Sequence, residues 1–409
     1  IYNDAKEIAG YRYCKADADI VAQTSYPYRY EVPTLVQKKA YTGKETQAKT
    51  QPGYIRLGYG NYGNLDARAS YLFTLSNSDR INLNFHMNGM DGKLELPDND
   101  GKWDSYYYRT HANIGYLHRF KKVDLDVVGN FGLSNFNFLP DAAVRKQKFT
   151  SGDIHFGVKS RDEELPLQFS AETNLMLYER QYDFGSLNNQ ENIIRTKALV
   201  AGGISEEQIV GIGLAMDNVL YKNNNFENYT SLNLNPHYRL ENDDWKIRIG
   251  AQVDMAFGFG KKFRAAPDSY ILYAQAKGGR LQNDFRRLEA FCPYGLVTSQ
   301  PDDTYEQVNA ALGFKASPAT GLWLNLYAGY QNLKDDLFFH PAGFDETTEG
   351  HYRTLAINQW NTSNIYAGAE VRYDYKNIFS FVAAGTYRSW DTKDDSRCQR
   401  LCAHLQAGL

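Results

Sequence analysis

The sequence predicts an all-β protein, a transmembrane antiparallel up-and-down β-barrel of about 18 strands, within a range of roughly 16 to 20. Three observations support this fold class. Polar and apolar residues alternate with a period of two along most of the chain, the connections alternate between short and long, and the composition combines low hydropathy with many tyrosines.

The alternation is clearest in Arg80–Met90, which reads RINLNFHMNGM. Ile81, Leu83, Phe85 and Met87 are separated by polar residues, and a period of two places the two sets on opposite faces of a strand. A half-buried strand of a soluble protein has the same pattern, so its recurrence decides the interpretation. The alternation recurs in 123–134, 153–159, 165–177, 231–240, 245–255 and 365–374.

The connections between these segments alternate in size. Short turns are predicted at 76–79, 120–123, 161–164, 205–208, 241–244, 317–320 and 375–377, and mostly longer links at 91–104, 139–149, 182–191, 222–227, 280–303 and 335–361. Outer-membrane barrels have short periplasmic turns and long extracellular loops, whereas a soluble sandwich has no reason to alternate.

The composition agrees with a barrel whose strands expose only one face to lipid. The 409 residues are 23% charged, with a net charge of -3 and a mean hydropathy of -0.56. No run of about 18 apolar residues occurs, which excludes a transmembrane helix. The 31 tyrosines favour girdles at the lipid boundaries, although a sugar-binding sandwich is also rich in tyrosine. Candidate girdle residues are Tyr106, Tyr107, Tyr108, Trp245, Tyr387 and Trp390.

Two regions differ in character. Residues 1–51 lack periodicity, and we expect an extended N-terminal segment, periplasmic or lumenal, from a processed N-terminus without a plug domain. Residues 52–409 form the predicted barrel. Consistent sidedness requires a very short strand at 262–266 before a strand that starts at Tyr270, and a last strand near 401–409 makes the number even. The alternation breaks after residue 394, which leaves open whether the barrel is complete at its C-terminus.

Three segments carry a resemblance to a known class of proteins. They are GYIRLGYGNYGN at 53–64, LYAQAKGGRLQNDFRRLEAFCPY at 272–294 and AGYQNLKDDLFF at 328–339. They resemble plug-less outer-membrane barrels of Bacteroidetes-type bacteria, which are similar to the barrel of TonB-dependent receptors. The resemblance implies the fold and a location in the bacterial outer membrane, and it implies no activity for particular residues.

The motifs that often indicate chemistry have simpler interpretations here. Gly58, Gly60 and Gly63 match GxGxxG, but the following LDARASYLFTL is a strand, so we predict a hairpin loop and not a nucleotide site. The eight histidines form no close metal-ligand pair, and no serine or aspartate lies beside one as in a catalytic relay. The four cysteines show no framework, although Cys398 and Cys402 could be joined. We therefore predict no catalytic, cofactor or metal site.

The side chains on the inward face of the strands are the candidates for a functional role. Acidic and basic residues mix on it, and in an open pore facing charges favour small hydrophilic solutes. Alternatively, these groups pair across the lumen and close it. The candidates are Arg56, Arg109, His111, Asp124, Asp126, Asp153, His155, Lys159, Glu172, Lys246, Arg248, Asp254, Lys277, Lys315, Glu370, Arg372 and Asp374.

Two functions follow from this reading. One is porin-like passage of small hydrophilic solutes, and the other is a non-transporting scaffold that binds partner proteins in an outer-membrane complex. Residues 280–291 have helical spacing through Leu281, Phe285, Leu288 and Phe291, and such a helix could fold inward, cap the mouth or bind a partner. The expected partners are outer-membrane lipid and proteins held by the N-terminal segment or the extracellular loops, and no nucleic acid.

Overall fold

A computed structural model of the chain describes residues 52–95, 101–137, 146–161, 167–182, 188–223, 225–242, 246–271, 274–297, 299–342, 354–375, 379–391 and 401–408. The predicted N-terminal segment, residues 1–51, lies outside the described residues, and so does Cys398.

The described residues form nineteen strands and one α-helix. The strands are β1 (Gly53–Gly60), β2 (Asn64–Thr74), β3 (Asp79–Glu95), β4 (Lys102–Arg119), β5 (Val123–Asn137), β6 (Lys146–Ser160), β7 (Leu167–Tyr182), β8 (Asn189–Gly203), β9 (Gln208–Lys222), β10 (Tyr229–Glu241), β11 (Lys246–Phe257), β12 (Phe263–Ile271), β13 (Ala274–Leu281), β14 (Gly295–Leu296), β15 (Thr304–Ala319), β16 (Leu322–Ala342), β17 (Thr354–Tyr375), β18 (Phe379–Trp390) and β19 (Leu401–Gly408). The helix α1 is Phe285–Phe291, and a 3-10 turn, Asn61–Gly63, joins β1 to β2.

Each strand pairs antiparallel with the next along the chain, and β13 pairs with β15. Of the 19 strands in the sheet, only β14 departs from this order, because it pairs parallel with β17, which leaves 18 in one up-and-down meander. The predicted fold class and strand number are confirmed. In the described part of the chain, no helix is long and apolar enough to cross a bilayer.

Several predicted boundaries differ from those observed. The short strand expected at 262–266 is present as β12, but it continues to Ile271, so Tyr270 does not start the next strand. The pairing of β11 with β12 explains the extension. Arg248 of β11 lies opposite Tyr270 and donates a hydrogen bond to the Asp268 carboxylate at 2.8 Å. The turn expected at 317–320 lies instead at 320–321, and β3, β4, β16 and β17 extend into the predicted links.

The two faces of the sheet differ as the alternation predicts. On β6, Phe149 is 1% exposed and lies with Asp153 on the face that α1 covers, whereas Ile154 is 48% exposed on the other face. We call these the inner and outer faces. Outer-face side chains such as Leu83 and Phe131 are exposed and apolar, as required of a surface that meets lipid.

The two rims of the sheet also differ. The rim with the short turns, such as 75–78 and 204–207, is called the turn end, and the opposite rim is called the loop end. The predicted hairpin at Gly63 lies at the loop end, where both Tyr62 and Gly63 have positive φ and a side chain at Gly63 would meet the Asp91 carbonyl. In outer-membrane barrels the short-turn rim is periplasmic.

The tyrosine girdle is only partly observed. Tyr106 and Tyr108 stack on the outer face with 6.5 Å between ring centroids. Tyr107, which was predicted as a girdle residue, points to the inner face and is buried in an aromatic cluster, because its parity on β4 is the opposite one. Trp245 lies outside the described residues. Part of the tyrosine excess therefore serves internal packing.

Candidate functional site

The connection between β13 and β15 folds into the barrel at the loop end. We call its described residues, 282–297 and 299–303, the inner loop. Asp284 begins the helix α1, because its side chain accepts a hydrogen bond from the Arg287 amide at 2.8 Å. The helix ends at Phe291, and Pro293 follows closely, which prevents its continuation.

The apolar side of α1 is buried completely. Phe285 and Leu288 are no more than 1% exposed, and burial of each contributes roughly 1.5 to 3 kcal/mol. The surrounding residues are inner-face aromatics from four consecutive strands: Tyr107, Phe136, Phe149, Tyr178 and Tyr182. We call these five residues the aromatic bed. The predicted helical spacing is confirmed for Phe285 and Leu288, while Leu281 belongs to β13.

Glu289 fixes the polar side of the helix to the wall. Ser134 of β5 and the Tyr178 hydroxyl of β7 donate hydrogen bonds to its two carboxylate oxygens. An Arg109 nitrogen on β4 lies 3.5 Å from the same carboxylate. One acidic side chain therefore joins α1 to three strands.

Two buried side chains, Arg180 and Glu191, hold the first turn of the helix. Arg180 of β7 donates to the Phe285 carbonyl oxygen at 3.2 Å, and its guanidinium lies 4.8 Å from the centroid of the Phe149 ring. Glu191 of β8 accepts a hydrogen bond from the Phe285 amide at 2.9 Å. Because both side chains are buried, their hydrogen bonds to the helix are electrostatically stronger than similar bonds at a surface.

A cluster of opposite charges anchors the inner loop where it leaves β13 and where it ends. Arg280 lies 3.0 Å from Asp303, 3.2 Å from Asp217 and 3.8 Å from Asp254. Arg195 lies 2.8 Å from Asp217. We call these five residues the charge cluster, and their side chains are at most 16% exposed. It links β8, β9, β11 and β13 to the end of the inner loop.

The inner loop reaches strands on the other side of the sheet. Its β14 residues Gly295 and Leu296 pair with Leu355 and Ala356 of β17. Gln359 of β17 donates to the Asp302 carbonyl oxygen at 2.6 Å and accepts from the Asp302 amide at 2.8 Å. The loop thus contacts β4 to β8 on one side and β17 on the other, and it crosses the mouth of the lumen.

Two titratable groups of the inner loop have altered acidity. Burial raises the pKa of the Cys292 thiol to about 11, so this buried free cysteine is a poor nucleophile at neutral pH. Partial burial, followed by the nearby charge of Asp335, raises the pKa of Asp302. Both shifts follow from the withdrawal of these two groups from water.

The seventeen predicted lumen residues all occupy inner-face positions of their strands. The structure brings two of them, Arg109 and Asp153, to the inner loop and a third, Asp254, to Arg280 of β13 in the charge cluster. Arg109 lies near Glu289, Asp153 is 2.8 Å from Arg286 and Asp254 is 3.8 Å from Arg280. The others lie along the wall. Pairs with short contacts are Arg56–Asp66, Asp126–His155, Glu172–Lys197, Lys246–Glu241, Arg248–Asp268 and Arg372–Asp374.

The remaining predicted residues have charged or polar neighbours by register. Asp124 lies opposite Lys159, and His111 lies opposite His86. Lys277 lies opposite Asp268, and Asn325 lies between Lys315 and Glu370 on adjacent strands. The pairs named above form between neighbouring strands or, for Arg372 and Asp374, within β17, and none of these pairs crosses the lumen. The role of these seventeen side chains in passage stays a prediction.

Several residues that hold the inner loop were not predicted. Glu191 and Arg195 occupy inner positions of β8, where a period-two reading of ENIIRTK would have found them. Glu289 and Arg280 carry no such signal, since their partners come from strands far away in sequence. Among the described residues, no group of three or more histidine, cysteine or acidic side chains is placed to hold a metal ion.

Comparison with known proteins finds relatives in structure only. No protein-family model matches the sequence, and no curated protein matches it. The fold is similar to the FrpB iron transporter from Neisseria meningitidis, with a TM-score of 0.58 at 10% identity over 83% of this chain and 61% of that one. It is also similar to FpvA from P. aeruginosa, with a TM-score of 0.57 at 10% identity over 85% of this chain and 56% of that one.

The outer membrane transporter YddB from Escherichia coli is a third neighbour, with a TM-score of 0.53 at 7% identity over 80% of this chain and 54% of that one. The chain spans less than two thirds of the length of each of these proteins. Its fold is that of the barrel of TonB-dependent outer-membrane receptors and transporters. This barrel fold belongs to the bacterial outer membrane, which confirms the predicted location.

Proposed function

We propose that this chain forms an outer-membrane passage for small hydrophilic solutes, and that the inner loop restricts its loop end. The observation that carries the proposal is the contrast between the two levels of the inner face. The loop end is packed with protein, whereas nearer the turn end Asn82 and Asn84 are exposed. A wide lumen with a polar lining admits water and hydrophilic solutes.

The structural neighbours support transport, and not catalysis, as the general class. Proteins with this fold include transporters of iron and, in OprC, of copper. We propose transport of a solute for this chain on that likeness of fold, without carrying over either metal. The Bacteroidetes-type origin and the absence of a plug stay predictions.

A scaffold is the second candidate, and the fixed position of the inner loop favours it. Anchors such as Glu289, Glu191 and Arg180 hold the loop across the mouth, which is the arrangement expected of a closed barrel. In that case the loop end would present a stable surface to partner proteins, and no current would flow.

Single-channel recording from the purified chain in planar bilayers separates these functions. Passage predicts conductance that rises when Phe285→Ala and Leu288→Ala are combined, because these changes remove the apolar contacts that seat the helix. The control combines Leu326→Ala and Phe314→Ala, two exposed apolar residues of the outer face. Silence in the unaltered chain and in the loop variant, together with partner proteins that remain bound after gentle purification, would favour the scaffold.

A further inference from the structure

A row of polar side chains crosses the inner face of five consecutive strands. Ser70 of β2 donates to the Asn84 side-chain oxygen at 2.8 Å, and Asn84 donates to Asn113 at 3.2 Å. Asn113 donates to Asn130 at 2.6 Å, and Asn130 donates to Asp153 at 2.8 Å. We call these five residues the amide ladder. All four bonds run in one direction, towards the Asp153 carboxylate.

The ladder leaves hydrogen-bonding capacity along its whole length. An asparagine side chain has two N–H donors and two acceptor lone pairs. In the bonds among described residues, Asn84, Asn113 and Asn130 each use one N–H, and Asn84 and Asn130 each use one lone pair, while the Asn113 oxygen accepts from both Asn84 and Asn82. The unused groups repeat at the strand spacing of about 4.8 Å. A solute with hydroxyl groups along its length can donate to and accept from such a row.

The surroundings of the ladder are close to neutral. Asp153, its one carboxylate, lies 2.8 Å from Arg286 of α1. A neighbouring inner-face carboxylate is also compensated, since Asp66 lies 3.3 Å from Arg56. A neutral row of donors and acceptors gives a charged solute no compensation for its lost hydration, whereas uncharged hydroxyl groups exchange water for amide partners.

The position of the ladder suits a solute that moves through the lumen. The contact with Arg286 places one end directly beside the inner loop, while Asn84, next to the other end, is exposed. From these observations we infer that the amide ladder is a binding strip for neutral polyhydroxylated solutes, such as short saccharides. This inference rests on the proposed passage for delivery of the solute, but binding itself can be measured without transport.

Calorimetric titration of the purified chain with raffinose tests the strip directly, in the sugar-free detergent lauryldimethylamine oxide. We expect saturable binding that Asn113→Leu weakens by about fivefold to tenfold, since the loss of one or two hydrogen bonds has this effect. The matched control is Asn233→Leu. Asn233 is also an inner-face asparagine, bonded to Gln252 and Asp254 on the neighbouring strand, but it lies outside the ladder. The control should retain the affinity of the unaltered chain.

Failure of the strip and failure of the passage give different results. Absence of saturable raffinose binding, or an equal loss in Asn113→Leu and Asn233→Leu, overturns the strip whether or not the barrel conducts. Liposome swelling with N-acetylglucosamine, glucuronate and glucosamine then tests the passage, because these probes are similar in size and differ in charge. Raffinose binding without swelling by any probe would retain the strip and reject the passage, whereas faster entry of the neutral probe supports both.

Discussion

Two levels of the same inner face have opposite surroundings. On β6, Phe149 at the loop end is 1% exposed against α1, and four residues further along Asp153 belongs to the amide ladder. On β7, Tyr178 is buried against Glu289, while Asn174 nearer the turn end bonds the His155 side chain at 2.7 Å. The same strands therefore support a packed protein core at one level and a hydrogen-bonded polar lining at the other.

The difference shows that the inner face of a wide barrel is not defined by polarity alone. Aromatic residues at inner positions look like exceptions to the alternation until their partners on the inner loop are known. Once α1 is in place, these aromatics are the expected partners of Phe285 and Leu288. Changes that remove contacts at one level should affect the other level chiefly through the ion pair between Arg286 and Asp153.

The largest effect is expected from Arg280→Met in the charge cluster. This change leaves Asp217, Asp254 and Asp303 buried without their shared cation, and removal of one partner of a buried ion pair costs about 3 to 5 kcal/mol. Thermal unfolding in detergent should show the loss, with Arg280→Lys closer to the unaltered protein. Equal midpoints for Arg280→Met and the unaltered chain would show that the cluster does not anchor the loop.

Loss of the apolar seat of α1 should have the next largest effect. Leu288→Ala removes a fully buried side chain at a cost of about 2 to 5 kcal/mol, and every 1.4 kcal/mol raises the undocked fraction of the loop about tenfold. Alkylation of Cys292 at pH 8 measures this fraction, because burial keeps its thiol pKa near 11 in the docked loop.

The alkylation experiment uses a background in which Cys14, Cys398 and Cys402 are serine. Leu326→Ala is the control, since the same side chain is removed from an exposed outer-face position. Labelling should be at least about tenfold faster in Leu288→Ala than in this control. Equal rates would contradict the packing of α1 on the aromatic bed.

The lipid-facing surface gives the third prediction. Ile154→Arg places a charge on the exposed apolar outer face, where arginine near the bilayer midplane costs about 2 to 4 kcal/mol. Urea titration of folding into lipid vesicles measures the change, and Ile154→Leu should be nearly neutral. Unchanged stability of the arginine variant would mean that this face does not meet lipid.

Alternation in the sequence was sufficient to predict the fold, because each strand must present one face to lipid at every level. Ile81, Leu83 and Phe85 carry this signal without reference to any other part of the chain. The site was predicted only in outline. The spacing of Phe285 and Leu288 indicated a helix, but the choice between folding inward, capping and partner binding depends on distant residues such as Arg180 and Glu191. No local pattern records such contacts.

The smallest effect is expected from Asp302→Asn in the inner loop. Burial, followed by the charge of Asp335, raises the pKa of Asp302, so the folded protein holds its proton to higher pH than the unfolded chain does. A raised folded-state pKa favours folding fully below the unfolded pKa of about 3.9, and this contribution is lost as the pH rises through the folded value. At pH 8 the aspartate is therefore destabilising.

Asparagine removes this charge and keeps the backbone bonds between Asp302 and Gln359. At pH 8 the unfolding midpoint of Asp302→Asn should be higher than that of the unaltered chain. The corresponding gain in the free energy of unfolding should be less than about 1 kcal/mol, because solvent screens a half-buried group. The gain should disappear in acid, where both proteins are neutral at this position. Asp335→Asn provides the contrast, since Asp335 lies 2.7 Å from Arg264 and its loss should destabilise. A gain independent of pH would show that the charge of Asp302 is not its source.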